Sequence, residues 1–587
     1  MLEKLEIHSV RRYVGHPYEW VSATAVFAVD PIAPGNNRIV DLDMAPRDAD
    51  GRVRFDADVR LLRPTSGGNR RALLVPPNRG MTLGIPFDRP LPETFAFDPA
   101  VIPAATDAFL LRRGWTIAWC GWQWDVQRAA GALGLTAPVA RVRPGWTRVE
   151  FRSDTDQPDH ALSDSGPLFR HTDYPSTDLD DPDAVLTVRT TPMGARQIVP
   201  RSRWRFTSPI RVAVDGGFRA FHYYELKYRT ALAPVVGAGL LALRDFGAHL
   251  RREHDHLFAG GASQSGRVLR QLLYDGLNVD EAGARVFDGV FSQLASARRG
   301  EFNQRHGQPA LSNPVTGAYG TDLDTTGLLR RQRGIGGVPK IMSVNSAWEY
   351  WRGDGALVHQ HARTGEDLPE DPDARVHLVS GTDHIDPAPF ARFLPLANPA
   401  HSLDPTLVHR ALFVQLEQWV CDGRTPEPSQ VPRHFDGTAT TRDKVLAAFP
   451  DAALGCVENL PWTPDNYPDG AWPQRIGKPL VAIVSTVDEH GNELAGIRLP
   501  EVATAAAAYT GWNPRKHVDG LPDVLYEMAG SRLPTLTTVP QPDEAAVRAA
   551  AQALVARRFL LPEDADHAVN RAMDQHRTHS AGLPDGA

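Results

Sequence analysis

One stretch limits what this chain can fold into more than any other: Leu257-Phe-Ala-Gly-Gly-Ala-Ser-Gln-Ser-Gly-Arg267. A short apolar run enters it and small residues fill it. Val268, Leu269, Leu272 and Leu273 follow on the broad apolar face of a helix. The chain must therefore pass from strand to helix within a residue or two. So sharp a turn leaves little room for side chains two before and two after its apex, and it forces the apex into strained φ/ψ. Ser263 meets the condition, with Gly261 before it, Ser265 after it and Gly266 next. Ser265 fails it, because its own flanks would be Ser263 and Arg267, and arginine is too large. The helix directs its partially positive N-terminus at the apex, where it stabilises a developing oxyanion. The plain alternative is a glycine-rich turn without chemistry.

The surrounding pattern supplies the sheet such a turn needs. Residues 71–75 and 115–122 read as short strands buried on both faces, with a helix over 105–113 between them. Strand, helix and strand with tight loops predict a parallel sheet. The pattern resumes with a helix over 233–252, a strand at 256–259 and a helix over 268–274. Further buried strands are expected at 286–291, 340–344 and 375–379, and a closing helix at 405–419. Before all this, 24–29 and 52–62 alternate like strands of an antiparallel sheet. The resulting organisation is an N-terminal β-rich segment (1–65), a first core part (66–124), a β-rich insertion (125–225) whose role as a cap over the site the sequence leaves open, a second core part (226–425) and a C-terminal extension (426–587). The extension is expected to hold a hairpin at 480–487 turning at 488–491, and a polar helical tail from about 543.

Chain order then favours chemistry over the plain turn. A serine at such an apex needs a histidine to take its proton and a carboxylate to orient that histidine. In open α/β sheets these groups sit just past the C-terminal ends of strands. The strand at 340–344 is followed by Asn345-Ser-Ala-Trp-Glu349, and the strand at 375–379 by Ser380-Gly-Thr-Asp-His384. Ser263, Glu349 and His384 are therefore the candidate nucleophile, acid and base. Asp354 is the main competing acid, and Asp288 a weaker one because it falls within a predicted strand. Asp383 adjoins the histidine and is expected to point elsewhere. Glu349 as a mere ion-pair partner of Arg352 is the bland reading. Oxyanion donors are expected from the backbone N–H of Gln264, the residue after the nucleophile, and from Arg79 or Gly80 in the loop after 71–75. Asn78, Trp122, Trp348, Tyr350, Arg298 and Asn303 are candidate pocket residues, each with core packing or a surface contact as its alternative.

These residues resemble the large bacterial "α/β hydrolase domain-containing" proteins, a group of serine hydrolases. The likeness runs through most of the chain. It rests on Val40-Asp-Leu-Asp-Met-Ala-Pro46, Asn78-Arg-Gly80, Gly121-Trp-Gln123, Ala262-Ser-Gln-Ser-Gly-Arg267, Val286-Phe-Asp-Gly-Val290, Ala297-Arg-Arg-Gly300, Glu349-Tyr-Trp351 and Gly381-Thr-Asp-His384. It implies the α/β-hydrolase fold, with a mainly parallel sheet and helices on both faces, and the same three residues, Ser263, Glu349 and His384. One stretch departs from the family pattern: where the family more usually reads Gly-Thr-Gln-His-Gly, this chain reads Gly381-Thr-Asp-His-Ile385. The histidine is kept, but no substrate preference carries over.

Composition narrows the partners. Apolar residues make up 42 % and charged residues 23 % of 587, enough for a sizeable soluble core. The net charge of −7 and the lack of a basic stripe disfavour nucleic acid. No run of apolar residues is long enough to predict a membrane span, and the first residues lack a signal-peptide pattern. The three cysteines, Cys120, Cys421 and Cys456, are far apart, which disfavours disulfides and zinc ribbons. The His-x-His pairs at 254/256 and 359/361 read as surface histidines more readily than as metal ligands. A cytoplasmic enzyme is expected, needing no cofactor or metal and acting on a small-molecule ester or lactone, with self-association open. Acyl transfer by the same three residues, a non-catalytic binding protein on the same fold, and a metal-dependent hydrolase are the alternatives.

Overall fold

The computed structural model describes residues 1–82, 84–89, 106–127, 131–163, 171–311, 322–386, 392–449, 459–465, 477–538 and 543–581. Its spine is one large mixed sheet. Strands β1 (Leu2–Tyr13), β2 (Tyr18–Val29) and β3 (Val53–Pro64) form an antiparallel wing, and β4 (Arg71–Val75) and β5 (Thr116–Cys120) follow. The two-residue β6 (Leu135–Thr136) pairs with β3. The N-terminal segment is thus the wing of the main sheet rather than a sheet of its own. The sequence pattern misses β1 because both its faces are largely open and charged residues interrupt any alternation; Glu3, Lys4, Glu6, Arg11 and Arg12 mark it as an edge strand.

The segment after β6 is β-rich, as expected. It carries β7 (Gly145–Arg152), β8 (Gln157–Ala161), β9 (Val185–Arg189), β10 (Gln197–Val199), β11 (Trp204–Ser208), β12 (Arg211–Phe218) and β13 (Tyr223–Thr230). These make two small antiparallel sheets, β10-β9-β13-β7 and β11-β12-β8, around their own apolar cluster, with Phe151, Leu186, Trp204 and Leu226 inside. Buried ion pairs join Arg189 to Glu150 (2.7 Å), Arg196 to Glu225 (2.5 Å) and Arg148 to Glu301 (3.0 Å). The last of these ties the insertion to the main domain.

The core then continues through α1 (Ala238–Leu250), β14 (His256–Ala262), α2 (Gln264–Tyr274), β15 (Gly289–Gln293), α3 (Thr325–Ile335), β16 (Lys340–Ser346), α4 (Ala347–Arg352), β17 (Ala374–Val379) and α5 (Thr406–Asp422). The sheet order is β1-β2-β3-β5-β4-β14-β15-β16-β17, parallel from β5 onward. Period-2 alternation divides each strand between two cores. Ala72, Leu74, Leu257 and Ala259 meet α1 and α2 on one face. Leu73, Phe258 and Ile117 meet Phe413 of α5 on the other, where the C-terminal helices Glu544–Ala556 and Ala565–Ala581 add Val547, Leu554 and Val569.

Several expected elements shift. The helix predicted over 233–252 starts only at Ala238, because Pro234 is held in a bridge to Val139 and the chain turns before it. The strand expected at 286–291 begins at Gly289, and Asp288 sits before it, bound to Arg251 (2.5 Å) and Arg285 (2.7 Å). The helix expected over 105–113 is a single 3₁₀ turn, Leu111–Arg113; Ala105 lies outside the described residues. The turn at 488–491 closes a short hairpin, with Val487 bridged to Glu493 and Leu494 N donating to Thr486 O at 2.9 Å, while Ile483–Ser485 further back pairs with Ala439–Thr441. Cys120 and Cys421 are free thiols, and Cys456 lies outside the described residues. Among the described residues no helix is long and apolar enough to cross a membrane.

Candidate active site

The turn between β14 and α2 has the strain its sequence demands. Ser263 adopts φ 56°, ψ −117°, a backbone region costly for a residue with a side chain. Its N–H donates to Gln293 O of the neighbouring β15 (2.8 Å), and its carbonyl accepts from Arg267 N (2.9 Å). A Cβ on Gly261 would fall 2.7 Å from the Ser265 carbonyl carbon, and one on Gly266 would fall 2.9 Å from Gln293 O. Both glycines are therefore steric requirements of the turn. Ser265, the rival nucleophile, is packed into the helix start and only 3 % exposed.

The three candidate side chains, carried on loops or helix starts after β14, β16 and β17, meet at one end of the sheet. Ser263 Oγ lies 2.8 Å from His384 Nε2. His384 Nδ1 lies 2.5 Å from Glu349 Oε1. The second oxygen, Glu349 Oε2, accepts from Ser346 N (2.8 Å) and from Ser346 Oγ (2.6 Å). Glu349 occupies the third position of α4 and Ser346 its N-cap, so a capping box holds the carboxylate in place. Glu349 is fully buried. Burial pushes its carboxyl up, but the His384 and Arg352 charges and the hydrogen bonds from His384 and Ser346 outweigh it and hold the carboxyl below its ordinary range. Sequence reasoning missed Ser346, although Ser346-Ala-Trp-Glu349 is a visible capping-box signature.

The competing acids are engaged elsewhere. Asp354 binds Arg352 in a fork (2.6 and 3.0 Å), and its Oδ2 also meets Arg298 Nε at 3.3 Å. Asp288 lies at the opposite end of β15. Asp383 is buried with Oδ2 3.7 Å from His401 Nδ1, and burial pushes its carboxyl well up.

The expected oxyanion donors divide. Gln264 starts α2 directly after Ser263, where its N–H belongs to the free first turn. The Arg79 N–H is already taken: it donates to Gln264 Oε1 (2.9 Å) and Gln123 Oε1 (3.0 Å). That corrects the expectation for Arg79 and leaves Gly80 as the candidate in its loop. Gly80 has φ +83°, and a Cβ there would strike Val126 at 2.7 Å. Asn78 Nδ2 reaches Ala262 O at 3.4 Å, so this loop abuts the strand that delivers Ser263. The side chains of Gln123 and Gln264 lock the loop to α2.

The expected pocket residues divide as well. Arg298 and Trp348 line a crevice with Arg352, Pro192, Met193 and Glu527, so the insertion forms part of its wall. Trp122 does not wall it: its ring packs on Phe302, and its Nε1 donates to Pro77 O at 2.8 Å. Tyr350 is buried against His359, with the hydroxyl 3.1 Å from Nε2. Asn303 braces the N-terminal segment, accepting from Val40 N and donating to Arg38 O, both at 3.0 Å. Among the described residues no three His, Cys, Asp or Glu side chains gather as a metal site.

The family profile described as "Alpha/beta hydrolase domain" matches residues 237–570, more than half of the chain and all three meeting side chains. No curated protein matches. Among solved structures, a glucuronoyl esterase from Solibacter usitatus is 11 % identical with a TM-score of 0.26, covering 59 % of this chain and 69 % of that one. A glucuronoyl esterase from Teredinibacter turnerae is 9 % identical with a TM-score of 0.23, covering 66 % and 76 %.

Proposed function

The chain belongs to the alpha/beta hydrolase domain family, and from that premise we propose that it is a serine carboxylic-ester hydrolase, an esterase or lactonase working through an acyl-enzyme. The observation that carries this is the unbroken line Ser263 Oγ, His384 Nε2, His384 Nδ1, Glu349 Oε1, at 2.8 and 2.5 Å, with the serine on a strained turn. Ser263 Oγ attacks the ester carbonyl while His384 Nε2 takes its proton. The tetrahedral oxyanion is held by the N–H of Gln264, supported by the N-terminal charge of α2 and by the Gly80 N–H. His384 then gives the proton to the departing alcohol oxygen, and the carbonyl re-forms as an ester on Ser263. Water, deprotonated by His384, attacks that ester and releases the acid. Glu349 holds the imidazole with its proton on Nδ1 and stabilises the imidazolium. Pro192 and Met193 of the insertion act as part of a cap over the crevice beside Trp348.

Fluorophosphonate labelling with peptide mapping tests the assignment. One adduct on the peptide that contains Ser263, lost in Ser263→Ala, is the expected result. A folded protein that gains no adduct there would move the non-catalytic reading ahead. Acyl transfer is separated from hydrolysis by product analysis with an added alcohol.

A further inference from the structure

Arg267 lies one turn into α2 from the nucleophile, and helical side chains lean back toward the helix N-terminus, here toward Ser263. It is half-buried, and among the described residues its guanidinium makes no hydrogen bond or ion pair. Three further guanidiniums act on it: Arg79 of the loop after β4, Arg298 after β15 and Arg352 at the end of α4. The acid that also acts on it, Asp354, is already bound through both oxygens, by Arg352 and by Arg298. Burial and the three like charges push the Arg267 guanidinium down to about 9, so it remains a cation at neutral pH in a place that disfavours one.

We propose that Arg267 is the anion-recognising residue of this site and that the ester it cleaves carries a carboxylate near the scissile bond. The proposal rests on the serine-esterase reading above and names its substrate class. A planar guanidinium with no hydrogen-bond partner among the described residues matches one carboxylate in a two-bond fork. Asp354 is the one carboxylate among the groups acting on Arg267, so positive charge exceeds negative around it and an anionic substrate group is favoured there. A neutral ester would bring no negative charge to Arg267, whereas an anionic one supplies it.

Three matched 4-nitrophenyl esters test this: the glutarate monoester, the neutral pentanoate, and the 4-phosphonobutanoate. A phenyl acetate with a para-carboxylate, set against its carboxamide, asks whether the anion belongs on the alcohol side. The wild type should show kcat/KM at least about tenfold higher for a carboxylate ester than for its neutral match on one of the two sides. Arg267→Gln should bring that ratio near one, and Arg267→Lys should keep part of it. Neutral esters cleaved as well as both carboxylate esters, or a ratio that survives Arg267→Gln, would overturn the proposal. A preference for the phosphonate would overturn the carboxylate assignment. Calorimetry of glutarate binding to Ser263→Ala, with and without Arg267→Gln, reads the subsite without chemistry. Absent labelling and hydrolysis with glutarate still bound through Arg267 would sink the esterase reading, and with it the substrate class, but leave the anion subsite standing; labelling without Arg267-dependent glutarate binding would sink the subsite and leave the esterase reading.

Discussion

Glu349→Gln is the sharpest perturbation of the site, because the surroundings dictate how a glutamine would sit. Glu349 Oε2 receives two donors, the N–H and the hydroxyl of Ser346, at 2.8 and 2.6 Å. A glutamine there must present its carbonyl oxygen to them, since turning its NH₂ toward the Ser346 N–H would oppose two donors in a buried site. The NH₂ then faces His384 Nδ1, which can only accept from it. His384 is thereby forced to carry its proton on Nε2, toward Ser263 Oγ, and can no longer act as the base. The loss is of tautomer rather than of packing, because the two side chains are nearly the same shape. A wrong-tautomer triad costs about 10⁴ in kcat, or about 5.5 kcal/mol of activation free energy. The assay is steady-state hydrolysis of a 4-nitrophenyl ester from pH 6 to 9, beside a thermal melt to establish folding. Fluorophosphonate labelling should slow in parallel, since it needs the same proton transfer. A folded Glu349→Gln enzyme that keeps more than about a tenth of wild-type kcat would refute the reasoning, because His384 would then not depend on this carboxylate.

Other perturbations have equally definite outcomes. Glu493 accepts from Gly381 N at 2.7 Å, just ahead of His384, and burial pushes its carboxyl up to about 7. The folded protein thus keeps a proton that the unfolded chain gives up near the ordinary value. That contribution is full below about pH 4.5, is lost as pH rises through 7, and is worth about 3 kcal/mol. Glu493→Gln should flatten this decline and raise the melting temperature at pH 8 but not at pH 4.5; an unchanged pH–stability slope would exclude Glu493 as its source. Gly261→Ala puts a Cβ 2.7 Å from the Ser265 backbone. It should cost about 1–3 kcal/mol in urea unfolding and slow the labelling of Ser263. Ser346→Ala removes the 2.6 Å hydroxyl donor to a buried carboxylate. It should cost about 1.5–3 kcal/mol and, by raising the Glu349 pKa, move the acid limb of kcat to higher pH; an acid limb that stays put would show that the hydroxyl does not tune Glu349.

What the sequence discloses follows from how local each cause is. The turn at Ser263 is written in Gly261, Ser265 and Gly266 because its constraint is steric and spans a few residues. The parallel strands declare themselves as short apolar runs because both their faces are covered. Strand β1 does not, since an edge strand open to solvent needs no alternation. Nor does the pairing of Ile483–Ser485 with Ala439–Thr441, because the turn at 488–491 specifies the arms next to it, Thr486–Val487 and Glu493–Leu494, and not which distant segment lies alongside further back. Trp122 and Asn303 carry residue types suited to a pocket, yet their partners, Pro77, Val40 and Arg38, come from segments distant in sequence.

The choice between Glu349 and Asp354 shows where a local rule would have sufficed. Both follow the same strand, and both are carboxylates near an arginine. Glu349 stands at the third position of a helix that begins where β16 ends, so its side chain leans back over the helix start and the C-terminal edge of the sheet. His384 arrives at that same edge from the adjacent strand β17. Asp354 lies beyond Gly353, whose φ of +95° ends the helix and turns the chain away from that edge. From there its carboxylate meets Arg352 and Arg298. The helix start and its cap assign the orienting role to the earlier acid and leave the later one to balance the arginines.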